Sequence, residues 1–240
     1  MAGHSKWANI KHKKNRADAK KGKIFSRITK EIISAVKSGG SDPKSNTKLR
    51  LAIQKARAAN LPNDNIERNI KKATSAEQAD YLEISYEIYG HGGVGIIVEV
   101  MTDNKNRTAS DIRIVLNKLG GSQASPGSVA FNFDRKGVIQ ISRESLSEDE
   151  LFTAASDAGA EDFETEEDMF MVVADPTQLY SVKESLEEKG FKIEEANLEM
   201  IPKIFVECDF ETLQSNLKLI ERLEELEDVD IVFHNAKSTE

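Results

Sequence analysis

Between Lys6 and Lys23 the chain carries Lys6, Lys11, Lys13, Lys14, Arg16, Lys20, Lys21 and Lys23 against Asp18 alone. Cations at this density bind a phosphate backbone by displacing its condensed counterions, and they need no base-specific geometry to do so. His12 lies inside the run and Arg27 follows one helical turn beyond it. The alternative is a solvated arm, or one that packs on acidic parts of its own chain. Lys and Arg outnumber Asn and Gln here, so backbone contacts should dominate over base reading. Trp7, the only tryptophan, sits within the run. It could stack on an unpaired base, or pin the arm to an apolar surface.

The asymmetry extends well past the arm. Residues 1–80 hold 19 Lys and Arg against 7 Asp and Glu, a net of +12; the chain totals of 33 and 41 leave 14 against 34 for residues 81–240, a net of −20. The overall charge of −8 therefore hides a bipolar molecule whose first third has the electrostatics of a polyanion binder. A second set of cations, Lys48, Arg50, Lys55 and Arg57, falls largely on the outward side of a predicted helix. A third pair, Lys105 and Arg107, lies in Asp103-Asn-Lys-Asn-Arg-Thr108, which leads into a helix start. Free backbone N–H groups there could hold an anion, or the segment could simply be a polar loop with Thr108 as cap.

Other motifs point away from catalysis. Gly90-His-Gly-Gly-Val-Gly95 matches G-x-G-x-x-G, but it runs into Ile96-Ile-Val-Glu-Val100, a strand, whereas a dinucleotide loop must open a helix. It reads as a Gly-rich hairpin turn. No G-x-S-x-G, H-E-x-x-H or P-loop occurs, and the four histidines lack metal-ligand spacing. The single Cys208 excludes an internal disulfide and any multi-cysteine metal site, and its apolar strand context reads as core. No cofactor, metal or small-molecule substrate is expected. No apolar run approaches a membrane span, and Met1 to Lys14 lacks the apolar region of a secretory signal, so a cytoplasmic protein is expected.

These residues need a scaffold. Ile24, Phe25, Ile28, Ile32, Ile33 and Val36 form one helical stripe from Lys23, closed by Gly39-Gly40. A second helix starts near Asn46 or Thr47 and breaks at Leu61-Pro62; Asp64-Asn-Ile-Glu67 reads as the capping box of a third. Thr74 to Asp80 is a polar linker where charge and period both change. Strands are predicted at Tyr81–Tyr89, Val94–Met101 and Val129–Phe133, with a helix after Thr108 closed by Gly120-Gly121. Residues 137–202 alternate as β-α-β-β-α-β, and the tail adds a strand at Ile204–Cys208, a helix at Glu211–Leu226 and a strand at Val229–Phe233.

The expected class is α+β: an N-terminal three-helix domain followed by two α/β domains, the inserted one ferredoxin-like (β-α-β-β-α-β). The expected boundaries are 1–79 for the basic arm and helical domain, 80–133 plus 203–240 for a discontinuous α/β domain, and 134–202 for the insertion.

Several blocks carry a resemblance. Met-Ala-Gly-His-Ser-Lys-Trp-Ala-Asn-Ile10, Asp18-Ala-Lys-Lys-Gly-Lys-Ile-Phe25, Asn60-Leu-Pro-Asn-Asp-Asn-Ile-Glu-Arg68, Tyr86-Glu-Ile-Tyr-Gly-His-Gly-Gly93, Asp103–Thr108, Gly127-Ser-Val-Ala130 and His234-Asn235 together resemble the YebC/PmpR family over the whole chain. The family pattern has proline where His91 stands and methionine where Leu61 stands, both turn or packing positions. The resemblance implies a three-domain cytosolic protein annotated in the family as a DNA-binding transcriptional regulator. It also implies kinship to a mitochondrial translational activator of cytochrome c oxidase and to bacterial members linked with stalled ribosomes. The expectation is a non-enzymatic nucleic-acid-binding regulator of gene expression whose partner is DNA. The alternatives are an RNA-contacting, ribosome-associated translation factor, with ribosomal RNA as partner, and an acidic protein-interaction scaffold.

Overall fold

Among the described residues, helix α1 (Ala17–Gly39) is followed by α2 (Thr47–Ala58) and α3 (Asn63–Ala73). The computed structural model describes residues 17–75, 80–144 and 147–239. Ile28, Ile32, Ile33, Ala35 and Val36 of α1 bury against Leu49, Ala52 and Ala56 of α2 and Ile66 and Ala73 of α3, so three amphipathic stripes close one core. Asn46 joins the first two helices. Its side chain accepts from the Leu49 N–H at 3.1 Å, capping α2, and donates to the carbonyls of Ala35 and Gly40 at 2.7 and 2.8 Å. Gly40, at φ +84°, makes the left-handed turn that stops α1.

Two helix starts differ from the sequence reading. The α1 backbone is helical from Ala17, not Lys23, because Ala17-Asp-Ala-Lys-Lys21 consists mostly of good helix formers even without an apolar stripe. The capping box at Asp64 does not form. α3 begins at Asn63 behind Pro62, with no side-chain cap; the fixed φ of Pro62 suits a helix entry, and Asp64 instead places its charge in the first turn.

Strands β1 (Leu82–Tyr89) and β2 (Gly95–Thr102) form an antiparallel hairpin closed by a 3₁₀ turn at His91–Gly93. Gly92 and Gly93 sit at φ +66° and +82°, so the glycine-rich motif serves the turn. Helix α4 (Lys105–Leu119) follows, then the short β3 (Ser122–Gln123), which pairs with β1.

Contacts divide the described residues into two compact units, 130–205 and 17–129 with 206–239; the helical region shares the second with the sheet. The first unit holds β4 (Phe133–Ser142), α5 (Glu148–Asp157), β5 (Asp162–Thr165), β6 (Met169–Ala174), α6 (Leu179–Glu188) and β7 (Ile193–Pro202). Its strands lie in the order β5-β6-β4-β7, every neighbouring pair antiparallel, which is the ferredoxin-like arrangement. No strand spans Val129–Phe133: residues 130–132 form a 3₁₀ turn, and β4 runs unbroken from Phe133. The polar Asp134-Arg-Lys-Gly137 stretch continues β4 by pairing with residues 198–201 of β7. Gly137 is required there, since a Cβ would stand 2.8 Å from the Leu179 Cβ.

The chain then returns through β8 (Val206–Cys208), α7 (Phe210–Glu224), β9 (Val229–His234) and β10 (Ala236–Ser238). The predicted strand at 204 starts two residues later. The Asp209 side chain caps α7 from the Thr212 N–H at 2.8 Å, which sets that helix one residue earlier than its pattern implied. β9 pairs with β2, giving the sheet order β3-β1-β2-β9, and β8 and β10 form a small parallel pair. α4 and α7 cover the sheet with Ile112, Val115, Leu116, Leu219, Ile220 and Leu223 against Ile88, Ile96, Val98 and Val232.

Candidate nucleic-acid interface

The cations of the helical region separate into two sets. α2 carries four basic residues and no acid along its length. Leu49, Ala52 and Ala56 face the core, which turns Lys48, Arg50 and Arg57 outward; all three are exposed, with no ion pair to any described residue. Lys55 is drawn aside by Glu31 of α1, 2.9 Å away. On α3 the exposed Arg68, Lys71 and Lys72 alternate with Asp64 and Glu67, so its outer face is mixed in sign.

The second set is spent inside the molecule. Lys23, Arg27 and Lys30 stand at i, i+4 and i+7 on α1, on one face of the helix. Lys23 donates to the Glu224 carbonyl at the end of α7. Arg27 bonds Glu31 at 3.2 Å and lies 4.0 Å from Asp230. Lys30 is buried, donates to the carbonyls of Met101 and Glu227 at 3.0 and 3.4 Å, and pairs with Asp228 at 3.6 Å. Its ammonium also lies 5.8 Å from the centre of the Tyr81 ring. The stripe thus covers the carbonyl end of α7, where the helix dipole favours positive charge. Burial pulls the Lys23 pKa down, against the attraction of Glu224 and Asp230.

The acidic side of this contact is uneven. Asp228 accepts from Nε and Nη2 of the Arg107 guanidinium in three contacts of 2.8–3.1 Å, and from the Thr108 hydroxyl at 2.8 Å. Burial pushes its carboxyl up, but the bonds from Arg107, Thr108 and Thr102 outweigh that and hold it below the ordinary carboxylate range. Among the described residues no such bond reaches Asp230. Burial raises it to about 6, with Arg27 and Lys30 offsetting only part of the cost.

The predicted anion loop is corrected here. The helix opens at Lys105, and the Asn104 side chain takes the N–H groups of Asn106 and Arg107 at 3.2 and 3.1 Å, so these donors are already satisfied. Arg107 is bound to Asp228 and Asp103. Thr108 is no cap; its hydroxyl turns inward to Thr102 and Asp228. Lys105 alone of that pair is exposed and without an ion pair among the described residues. Lys6, Trp7, Lys11, His12, Lys13, Lys14 and Arg16 lie outside the described residues, and Lys20 and Lys21 fall on the opening turns of α1. Sequence reasoning passed over Lys30, Asp228 and Asp230. The available signal was the i, i+4, i+7 spacing of Lys23, Arg27 and Lys30, set against the acidic run from Glu224 to Asp230.

Residues 5–76 match the model described as the TACO1/YebC protein N-terminal domain, and residues 81–236 match that of the TACO1/YebC second and third domain. The chain belongs to the TACO1/YebC family. The two matched TACO1/YebC segments meet where the sequence changes charge and period. A relative from Protochlamydia amoebophila named "probable transcriptional regulatory protein" is 66% identical over 240 residues, covering 100% of this chain and 98% of its own. One of the same name from Chlamydia pneumoniae is 60% identical over 236 residues, covering 98% and 99%. A conserved hypothetical protein from Aquifex aeolicus, known from a crystal structure, superimposes with a TM-score of 0.86 at 43% identity over 98% of both chains. These TACO1/YebC relatives support a regulatory protein. Among the described residues no helix is long and apolar enough to cross a membrane.

Proposed function

We propose that this protein is a non-enzymatic, cytoplasmic regulator of gene expression that holds DNA chiefly by its phosphate backbone. The contact is the outer face of α2 together with the basic segment from Lys6 to Lys21. The observation that carries the reading is the uncompensated charge of α2: Lys48, Arg50 and Arg57 are exposed on a helix without a single acid. The names of the relatives, probable transcriptional regulatory proteins, support the regulatory part of this reading. α3 is poorly suited to reading bases in a groove, because Asp64 and Glu67 share its outward face with Arg68 and Lys71. Contacts to phosphate rather than to base edges follow from that composition.

The test is the triple variant Lys48→Gln, Arg50→Gln, Arg57→Gln, titrated with mixed-sequence duplex DNA at several salt concentrations. Loss of three phosphate contacts should flatten the slope of log affinity against log salt by about 2–3 and weaken binding at low salt. An unchanged slope and affinity would remove α2 from the interface. Crosslinking and sequencing in cells tests the target: chromosomal DNA supports the reading, and recovery of ribosomal RNA alone replaces it with a translation factor.

A further inference from the structure

We infer that binding of a polyanion at the Lys23–Arg27 edge of α1 is proton-linked, because the ionised Asp230 carboxylate behind that edge competes with the polyanion for Arg27 and the protonated one does not. The inference rests on the nucleic-acid reading above and extends it to Lys23 and Arg27, which the acidic contact withholds from that interface while Asp230 is ionised.

The geometry is a competition for cations. Arg27 is about one-third exposed, at 36%, and its guanidinium lies 4.0 Å from an Asp230 carboxylate that is only 12% exposed. A phosphate approaching α1 from solvent reaches Arg27 and half-buried Lys23, but meets the field of Asp230 behind them. The groups around Asp230 can be enumerated by element. α1 contributes Lys23, Arg27, Lys30 and Glu31, and Glu31 is shared between Arg27 at 3.2 Å and Lys55 of α2 at 2.9 Å. At the end of α7 and its turn, Glu224 and Glu225 face Lys23 and Asp228 pairs with Lys30, and Glu99 lies on the neighbouring strand β2. Asp228 is committed to Arg107, Thr108 and Lys30, so it stays charged and paired. Among the described residues no hydrogen bond reaches the Asp230 carboxylate, which stands 4.0 Å from Arg27, and burial raises it to about 6. Protonation near that pH removes one negative charge from behind Lys23 and Arg27 while leaving the Lys30–Asp228 attachment intact. The anchor and the responsive site are thus different carboxylates two residues apart.

The experiment measures affinity for mixed-sequence duplex DNA at pH 7.5 and pH 5.5, using the full chain and Asp230→Asn. The substitution keeps the side chain's size and removes its charge. At pH 7.5 the variant should bind about two- to fivefold more tightly than the native chain, the scale of one partly exposed charge pair. The two proteins should converge at pH 5.5. Comparing them cancels the titration of the four histidines, which both retain. Adding Arg27→Gln to the variant should abolish its gain at pH 7.5. Equal affinities of the native chain and Asp230→Asn at pH 7.5, or a gain that survives Arg27→Gln, would overturn the linkage. Failure of the α2 triple variant to weaken binding would instead overturn the interface assignment. If neither protein binds duplex DNA, both fall.

Discussion

Replacing Asp230 by asparagine should stabilise the protein above pH 7 and do little at pH 5. Asp230 sits at the start of β9 with its side chain 12% exposed, and its carboxyl titrates near 6 instead of 3.8. A carboxyl raised by folding favours the protonated form in the folded state. Its ionised form therefore costs stability in full above about pH 6; the cost is relieved as pH falls through 6 and is absent below about 3.8. The gap between 3.8 and about 6 corresponds to a cost of up to about 3 kcal/mol. Asparagine removes the charge but also forfeits the attraction of Arg27 and Lys30, which is already counted in the value near 6. The expected net gain at pH 8 is about 1–3 kcal/mol, and a chain of this size gains roughly 2–4 °C in Tm per kcal/mol. Thermal melts of the native chain and Asp230→Asn at half-unit steps from pH 5 to pH 8 would show two curves diverging as pH rises. Curves that diverge in the opposite direction, with the variant less stable at pH 8, would mean that the ion pairs outweigh burial at this site.

Three further outcomes follow from buried polar contacts. Asp228→Asn should lower stability by about 2–4 kcal/mol, because Arg107, Thr108 and Lys30 all lose their shared carboxylate; denaturant melts give the value, and a loss below 1 kcal/mol would show the cluster to be dispensable. Asn216, fully buried on α7, accepts from the His91 N–H at 2.9 Å and donates to its carbonyl at 3.0 Å. Asn216→Ala should therefore cost about 2–3 kcal/mol in the same assay, and Gly90→Ala should also destabilise, since its Cβ would meet the Asn216 side-chain oxygen at 2.3 Å. Glu87 accepts the N–H groups of Gly127 and Val129 at 2.5 and 2.6 Å, so Glu87→Ala should speed hydrogen exchange at those two amides, with little change at residues of α4.

Periodicity and turn chemistry made much of this architecture readable from sequence. The stripe from Ile28 to Val36 needed only a 3.6-residue repeat, and Gly39-Gly40 and Asn46 are strong local stop and start signals. The strand and helix alternation of residues 133–202 likewise points to one sheet order. The start of α4 was misplaced because two residues could each cap it. Asn104 and Thr108 are both competent N-caps, and the choice falls to Asn104 because Thr108 is claimed by Asp228, 120 residues later. Local sequence carries no record of that partner. The same limit applied to the candidate interface. The count of cations was legible, but which of them remain available was not. Lys23 is satisfied by a carbonyl 201 residues away and Lys30 by one 197 residues away, while Lys48, Arg50 and Arg57 face solvent.

The acidic character of the second part of the chain consequently has a local role that net charge conceals. A region of charge −20 would repel a polyanion at long range, yet solvent screens such fields within about 8–10 Å, so what matters is where individual carboxylates stand. Asp228 and Asp230 both lie under α1, but a bidentate arginine fixes one and burial weakens the other. The fixed carboxylate holds Lys30, and with it α1, against the end of α7. α1 in turn packs on α2 through Ile32 and Leu49, so α2 presents its cations from a rigid base. A polyanion that bound α2 would therefore meet a preorganised row of charges, losing little conformational freedom of the protein in doing so. The acids whose net charge opposes binding are, at these two positions, what orients the basic face and what tunes it.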